Sequence, residues 1–154
     1  MKILFVCLGN ICRSPAAEAV FKNLVQEAGL ENRFEIDSAG TGDWHVGKQA
    51  DPRMRKAASE LGFNITSRGR QVSGADFQNF DLIIAMDSRN YNNLVPLQTA
   101  MDRAKLIQFR ELMTTQQIEG VPDPYYGGPE GFKQVLDILQ EGCEELLNRV
   151  NKSV

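Results

Sequence analysis

The sequence predicts an α/β fold, a three-layer sandwich in which a four-stranded parallel sheet is flanked by helices on both faces. Three observations predict it. Continuous apolar runs such as Ile3-Leu4-Phe5-Val6-Cys7 and Leu82-Ile83-Ile84-Ala85-Met86 have the unbroken hydrophobicity of strands buried on both sides. These runs alternate with segments of helical period that are bounded by cap residues and prolines. The 154 residues are 42% hydrophobic and 24% charged, enough for one core without disulfides or structural metal. No linker, repeat or low-complexity stretch divides the chain, so residues 1–154 are expected to form a single domain.

The first strand is expected at about Ile3 to Cys7, and its short apolar run is too brief to span a membrane. A helix follows from Pro15 to Ala28, with Ser14 as N-cap, Pro15 at the first helical position and Gly29 closing it. Val20, Phe21, Leu24 and Ala28 fall on one face of that helix. Phe34 to Ser38 reads as the second strand, entering a long loop with Gly40, Gly42 and Gly47. Asp51-Pro52 starts a second helix that ends by Gly62. Asp81 to Met86 is the clearest central strand, and Asp87 or Ser88 caps the helix after it. Lys105 to Phe109 makes a shorter fourth strand. In the last helix, from about Pro129 to Asn151, Phe132, Val135, Leu136, Leu139, Cys143, Leu146, Leu147 and Val150 form an apolar stripe.

Composition excludes several functions. Seventeen Lys and Arg against 20 Asp and Glu give a net charge of −3, with no basic block to grip nucleic acid. Three Cys and one His, without C-x-x-C or H-E-x-x-H spacing, do not make a zinc site. No metal, cofactor or membrane partner is expected. The expected location is cytoplasmic, with thiols reduced, and the expected assembly is a monomer or weak self-association.

Ligands of open α/β sheets bind beyond the carboxyl ends of the strands. That rule points at Cys7-Leu8-Gly9-Asn10-Ile11-Cys12-Arg13-Ser14, between the first strand and the first helix. It has neither the lysine of a nucleotide-binding loop nor the glycine spacing of a dinucleotide fold. A short loop running into a helix N-terminus aims successive N–H groups inward, forming a nest for an oxyanion. Gly9 and Asn10 tolerate the left-handed backbone that a nest requires. Arg13 offers a planar fork for two phosphoryl oxygens. Cys7 would lie at the floor, where a helix terminus and a cation favour its thiolate without a histidine base. Ser14 could donate a hydrogen bond to that thiolate.

At this point the chain resembles the low-molecular-weight protein tyrosine phosphatases. The resemblance rests on F-V-C-L-G-N-I-C-R-S-P at Phe5 to Pro15, D-S-A-G-T at Asp37 to Thr41 and D-P-Y-Y at Asp123 to Tyr126. It implies a four-stranded parallel sheet and hydrolysis of tyrosine-phosphorylated proteins through a phosphocysteine. Cys7 would be the nucleophile, Arg13 the phosphate ligand and Asp123 the general acid. Leu8, Gly9, Asn10, Ile11, Cys12, Arg13 and Ser14 would form the phosphate-binding loop. Trp44, Tyr125 and Tyr126 would contact the substrate ring, with Leu8 and Ile11 in the wall.

A leaving phenolate, whose acid has a pKa near about 10, needs a proton. One carboxyl group on a loop above the nest can supply it and later accept a proton from water. Pro122 and Pro124 restrict that loop, although Asp-Pro is also a common turn starter. His45 is set aside as incidental. Ser38 is expected to bond Asn10 in the resembling family and hold its strained conformation. Many relatives carry a histidine in that network, where this chain has Ser67 before Arg68-Gly69-Arg70-Gln71. Cys12, inside the loop, could capture oxidised Cys7 as a disulfide and so protect it, or could be a small packing residue.

Two other classes compete. A thioredoxin-coupled arsenate reductase of this fold would need further relay cysteines, and Cys143, the one remaining thiol, falls on an apolar stripe. A non-catalytic phosphotyrosine-binding module would not need Cys7, Arg13 and Asp123 together.

Overall fold

The computed structural model describes residues 1–152. Strands β1 (Lys2–Cys7), β2 (Glu35–Gly40), β3 (Leu82–Ala85) and β4 (Lys105–Gln108) form one sheet in the order β2-β1-β3-β4, with every pair parallel. Helices are α1 (Arg13–Glu27), α2 (Pro52–Glu60), α3 (Gly74–Asn79), α4 (Ser88–Leu94) and α5 (Pro129–Asn151). Strand β1 shows why the sheet needs cover on both sides. Ile3, Phe5 and Cys7 pack into a core with α1, α2 and α5, while Leu4 and Val6 pack with Phe77 of α3 and Leu94 of α4. Successive side chains on a strand point to opposite faces, so one apolar run serves two cores.

The expected sandwich is therefore the observed one, with local differences. Helix α1 starts at Arg13, not Pro15, and Ser14 is not its cap. The position before the helix is Cys12, with no side-chain cap bond. The hydroxyl of Ser14 is drawn instead to the sulfur of Cys7, and the free N–H groups of a first turn are left for another acceptor. Val25 rather than Ala28 completes the buried face of α1; Ala28 is exposed at the helix end, and Gly29 follows with φ 71°. Strand β2 runs two residues past Ser38, because Ala39 and Gly40 pair with Val6 and Cys7. Strand β3 is trimmed by one residue at each end.

Asp51 caps α2 through the Arg53 N–H at 2.8 Å, and Asp87 caps α4 through the Asn90 N–H at 2.8 Å. Helix α5 has the expected bounds, and its stripe is buried except for half-buried Leu147. Helix α3 is not among the elements expected from the sequence. Its signal was present as a capping box, in which Ser73 and Asp76 exchange bonds across the first turn. Among the described residues, no helix is long and apolar enough to cross a membrane, and no cluster of His, Cys, Asp or Glu could hold a metal.

Candidate active site

Residues 8–12 lead from the end of β1 into α1, and the scaffold holds the carbonyls of Cys7, Leu8 and Ile11. Thr41 N–H donates to Cys7 O at 2.9 Å, Gly42 N–H to Leu8 O at 2.9 Å, and Asp51 N–H to Ile11 O at 2.8 Å. The N–H groups of Gly9, Asn10, Ile11 and Cys12 donate to no protein acceptor among the described residues. Carbonyls engaged and N–H groups free is the polarity of an anion nest. Gly40 permits the close approach: a Cβ there would lie 2.8 Å from Leu8 O.

Asn10 is the one non-glycine residue with positive φ, at 57°, among the described residues. Its side chain explains how that conformation persists. Nδ2 donates to Ser14 Oγ at 2.8 Å and to Ser38 Oγ at 3.0 Å, and Oδ1 accepts from the Arg70 N–H at 3.0 Å. Ser38 in turn donates to Glu18 at 2.6 Å. Arg70 is held by Asp37 and Asp76. Ser67 takes no part in these bonds among the described residues, yet Asn10 has partners for both ends of its amide. The departure from the histidine-bearing relatives leaves the anchor complete, with the Arg70 backbone as one of its supports.

Cys7 is 2% exposed, and its sulfur lies 3.0 Å from Ser14 Oγ. Because Asn10 donates to that hydroxyl oxygen, the hydroxyl proton is directed to the sulfur or to Ala39 O, 3.3 Å away. Arg13 is 3% exposed. Its Nη1 donates to Asp87 Oδ2 at 2.6 Å and to Val121 O at 3.1 Å, while Nη2 faces Asp123 Oδ2 at 3.6 Å. Burial opposes the charge of Arg13, but Cys7, Asp87 and Asp123 outweigh it and hold the guanidinium above its ordinary value. One edge is thus locked to the scaffold and the other faces the cavity.

That cavity has a volume of about 450 Å³ and is lined by Cys7, Leu8, Gly9, Ile11, Cys12, Arg13, Trp44, His45, Asp123, Tyr125 and Tyr126. Sequence reasoning placed all of these in the site except His45. The side chains of Asn10, Ser14 and Ser38 lie behind it, in the hydrogen-bond network. Trp44 and Tyr126 are 63% and 95% exposed, and the two tyrosine rings meet edge-on with centroids 4.9 Å apart. His45, set aside as incidental on the sequence, lines the cavity; its ring packs over Gly9, where a Cβ would come within 3.1 Å. Asp87 was legible only as a cap, although its place after β3, at the carboxyl edge of the sheet, signals a site residue. Burial pushes the Cys12 thiol well up, and Asp51, Cys7 and Asp123 add to the effect. Cys143 lies fully buried in α5, likewise pushed up by burial.

Comparison with known proteins gives a consistent result. The family model described as low molecular weight phosphotyrosine protein phosphatase matches residues 2–154. A low molecular weight phosphotyrosine protein phosphatase of Schizosaccharomyces pombe is 50% identical over 145 residues, covering 91% of this chain and 93% of the relative. The crystal structure of a protein tyrosine phosphatase from Entamoeba histolytica, with Hepes in its active site, superposes with a TM-score of 0.96 at 47% identity, covering 99% and 98% of the two chains. A Drosophila arginine phosphatase superposes with a TM-score of 0.89 at 34% identity, over 97% and 98%.

Proposed function

The chain belongs to the low molecular weight phosphotyrosine protein phosphatase family, and from that premise we propose how its residues divide the hydrolysis of a tyrosine phosphate. The enzyme is a hydrolase whose substrates are phosphoproteins. Cys7, as thiolate, attacks phosphorus from the floor of the loop, so that an S–P bond forms as the bond to the phenolic oxygen breaks. Asp123 donates a proton to that oxygen. The free N–H groups of the loop and the Nη2 edge of Arg13 stabilise the charge that builds on the phosphoryl oxygens. In the second step water attacks phosphorus, Asp123 takes its proton, and the sulfur departs with the Ser14 hydroxyl donating to it.

The observation that carries this reading is the set of free N–H groups in the loop that follows Cys7, with Cys7, Arg13 and Asp123 all lining the same cavity. Leu8, Ile11, Trp44, Tyr125 and Tyr126 give that cavity an apolar wall suited to an aromatic ring. A guanidinium leaving group would meet the same wall and only one carboxylate, which favours the aryl ester over a phosphoarginine. Cys12, free and buried beside the nucleophile, remains our proposed partner for a protective disulfide with oxidised Cys7. Mild peroxide followed by mass spectrometry tests it, and over-oxidised Cys7 without a Cys7–Cys12 bond would defeat it.

The deciding experiment is hydrolysis of p-nitrophenyl phosphate and of matched phosphotyrosine and phosphoarginine peptides, with chelator present. Wild type should favour the aryl ester, and Cys7→Ser should lose turnover. Full activity in Cys7→Ser would overturn the assignment. Thioredoxin-coupled arsenate reduction, measured in parallel, should be absent.

A further inference from the structure

The segment that carries Asp123 is tied down unevenly along its length. Val121, at its start, is pinned twice: its N–H donates to Met86 O at 2.9 Å, and its carbonyl accepts from Arg13 Nη1 at 3.1 Å. From residue 122 to 127 the hydrogen bonds are internal, Tyr125 N–H to Asp123 Oδ1 at 3.1 Å and Gly127 N–H to Pro124 O at 3.0 Å. Among the described residues there is one exception. Arg53 Nη2 donates to Tyr125 O at 2.9 Å. Asp123 itself faces Arg13 at 3.6 Å, an ion pair beyond good hydrogen-bond reach.

Arg53 is itself held in place. Its Nε and Nη2 reach the two oxygens of Asp51 at 3.1 and 2.8 Å. Asp51 is anchored through its N–H to Ile11 O in the nucleophile loop. The guanidinium carbon lies 4.8 Å from the ring centroid of Phe132 and 5.3 Å from that of Tyr125. A continuous set of contacts therefore runs from the phosphate loop through Asp51 and Arg53 to the backbone beside Asp123.

We propose that Arg53 is the positioning residue for the general acid, strapping the Asp123 loop over Cys7 while the carboxyl group is protonated. The proposal rests on the reading of Asp123 as proton donor. A donor must be neutral before transfer, and a neutral carboxyl group loses its Coulomb attraction to Arg13. A bound phosphoryl group also competes for the same Nη2 edge. The bond from Arg53 to Tyr125 O is indifferent to both events, because a backbone carbonyl does not titrate and lies outside the phosphate nest. Lysine would not replace it: one ammonium has no planar fork with which to span two carboxylate oxygens and stack between rings.

The test is kcat/KM across aryl phosphates whose phenols range from strongly to weakly acidic, for wild type, Arg53→Ala, Arg53→Lys, Asp123→Ala and Arg53→Ala/Asp123→Ala. Thermal unfolding of each variant checks the fold, and Arg53→Lys keeps a cation beside Asp51 should Arg53→Ala prove unstable. Both Arg53 variants should steepen the dependence on leaving-group pKa, losing roughly tenfold or more with the poorest leaving groups and little with the best. That is part of the about 10²–10⁴ that a general acid supplies. In the Asp123→Ala background, removing Arg53 should add no further dependence. An equal loss across the series, or an undiminished extra dependence without Asp123, overturns the strap and leaves the acid assignment standing. A shallow dependence in Asp123→Ala would overturn the acid assignment and the strap together.

Discussion

The hydroxyl oxygen of Ser14 lies 3.0 Å from the sulfur of Cys7; it accepts from Asn10, which leaves its proton for that sulfur or for Ala39 O. A thiolate leaves phosphorus faster when a donor meets its growing charge. Ser14→Ala should therefore slow the breakdown of the phosphocysteine more than its formation. Loss of a hydrogen bond to a charged group, about 1.5–3 kcal/mol, corresponds to a roughly 10- to 100-fold fall in kcat. Rapid acid quench should find a larger steady-state fraction of phosphoenzyme than in wild type; an unchanged fraction would place the effect elsewhere.

Asn10 combines a left-handed backbone with three side-chain bonds. Asn10→Ala keeps a Cβ at positive φ, at about 1–2 kcal/mol, and removes the bonds that offset it. We expect a loss of about 2–4 kcal/mol in unfolding free energy and a fall in kcat. Asn10→Gly, which relieves only the backbone strain, should recover part of the stability and little of the activity. Denaturant unfolding and steady-state kinetics on the pair separate the two contributions.

Asp87 gives the buried guanidinium of Arg13 its shortest bond, at 2.6 Å. Asp87→Asn keeps a side-chain oxygen for the α4 cap and removes the charge. Arg13 then loses a charge-assisted bond, and unfolding should become easier by about 1–3 kcal/mol. With its locked edge released, Arg13 should hold phosphate less well. KM for aryl phosphates and Ki for inorganic phosphate should rise together, by roughly tenfold for each 1.4 kcal/mol.

Asp51 illustrates the pH dependence. Its bond to Arg53 holds the carboxyl group below its ordinary value of 3.8, against an opposing effect of burial. A folded-state value below the unfolded one means that the unfolded chain binds the proton more readily. The stabilisation is complete above about pH 4–5 and is lost as pH falls through the folded-state value. Asp51→Asn, which retains capping ability, should narrow the stability gap to wild type as pH drops from 6 to 3. Thermal unfolding across that range reads it, and a constant gap would count against the assignment.

Much of the fold was legible because its signals are local. The apolar runs of β1 and β3, the Asp51-Pro52 and Asp87 caps and the stripe of α5 each depend on residues within a turn or two. Ser14 was misread for an instructive reason: Ser before Pro is a good capping signal, yet here the hydroxyl has the stronger demand of Cys7 and Asn10. Helix α3 was missed although Ser73 and Asp76 form a capping box, since six residues give little periodicity. Asp87 was read only as a cap and Arg53 not at all, because their contacts with Arg13 and with Tyr125 O join residues far apart in the chain.

The sequence by itself determined the make-up of the loop between β1 and α1. Cys7, Gly9, Asn10, Arg13 and Ser14 fall within eight consecutive residues from the end of β1 to the start of α1, so their closeness to one another follows from the chain itself. Only the tertiary structure decided what surrounds that loop. Asp123 and Asp87 meet Arg13, Arg70 meets Asn10, and Arg53 meets Tyr125 through packing of elements across a parallel sheet. Parallel strands are joined by long crossovers, and no local preference records where a crossover returns.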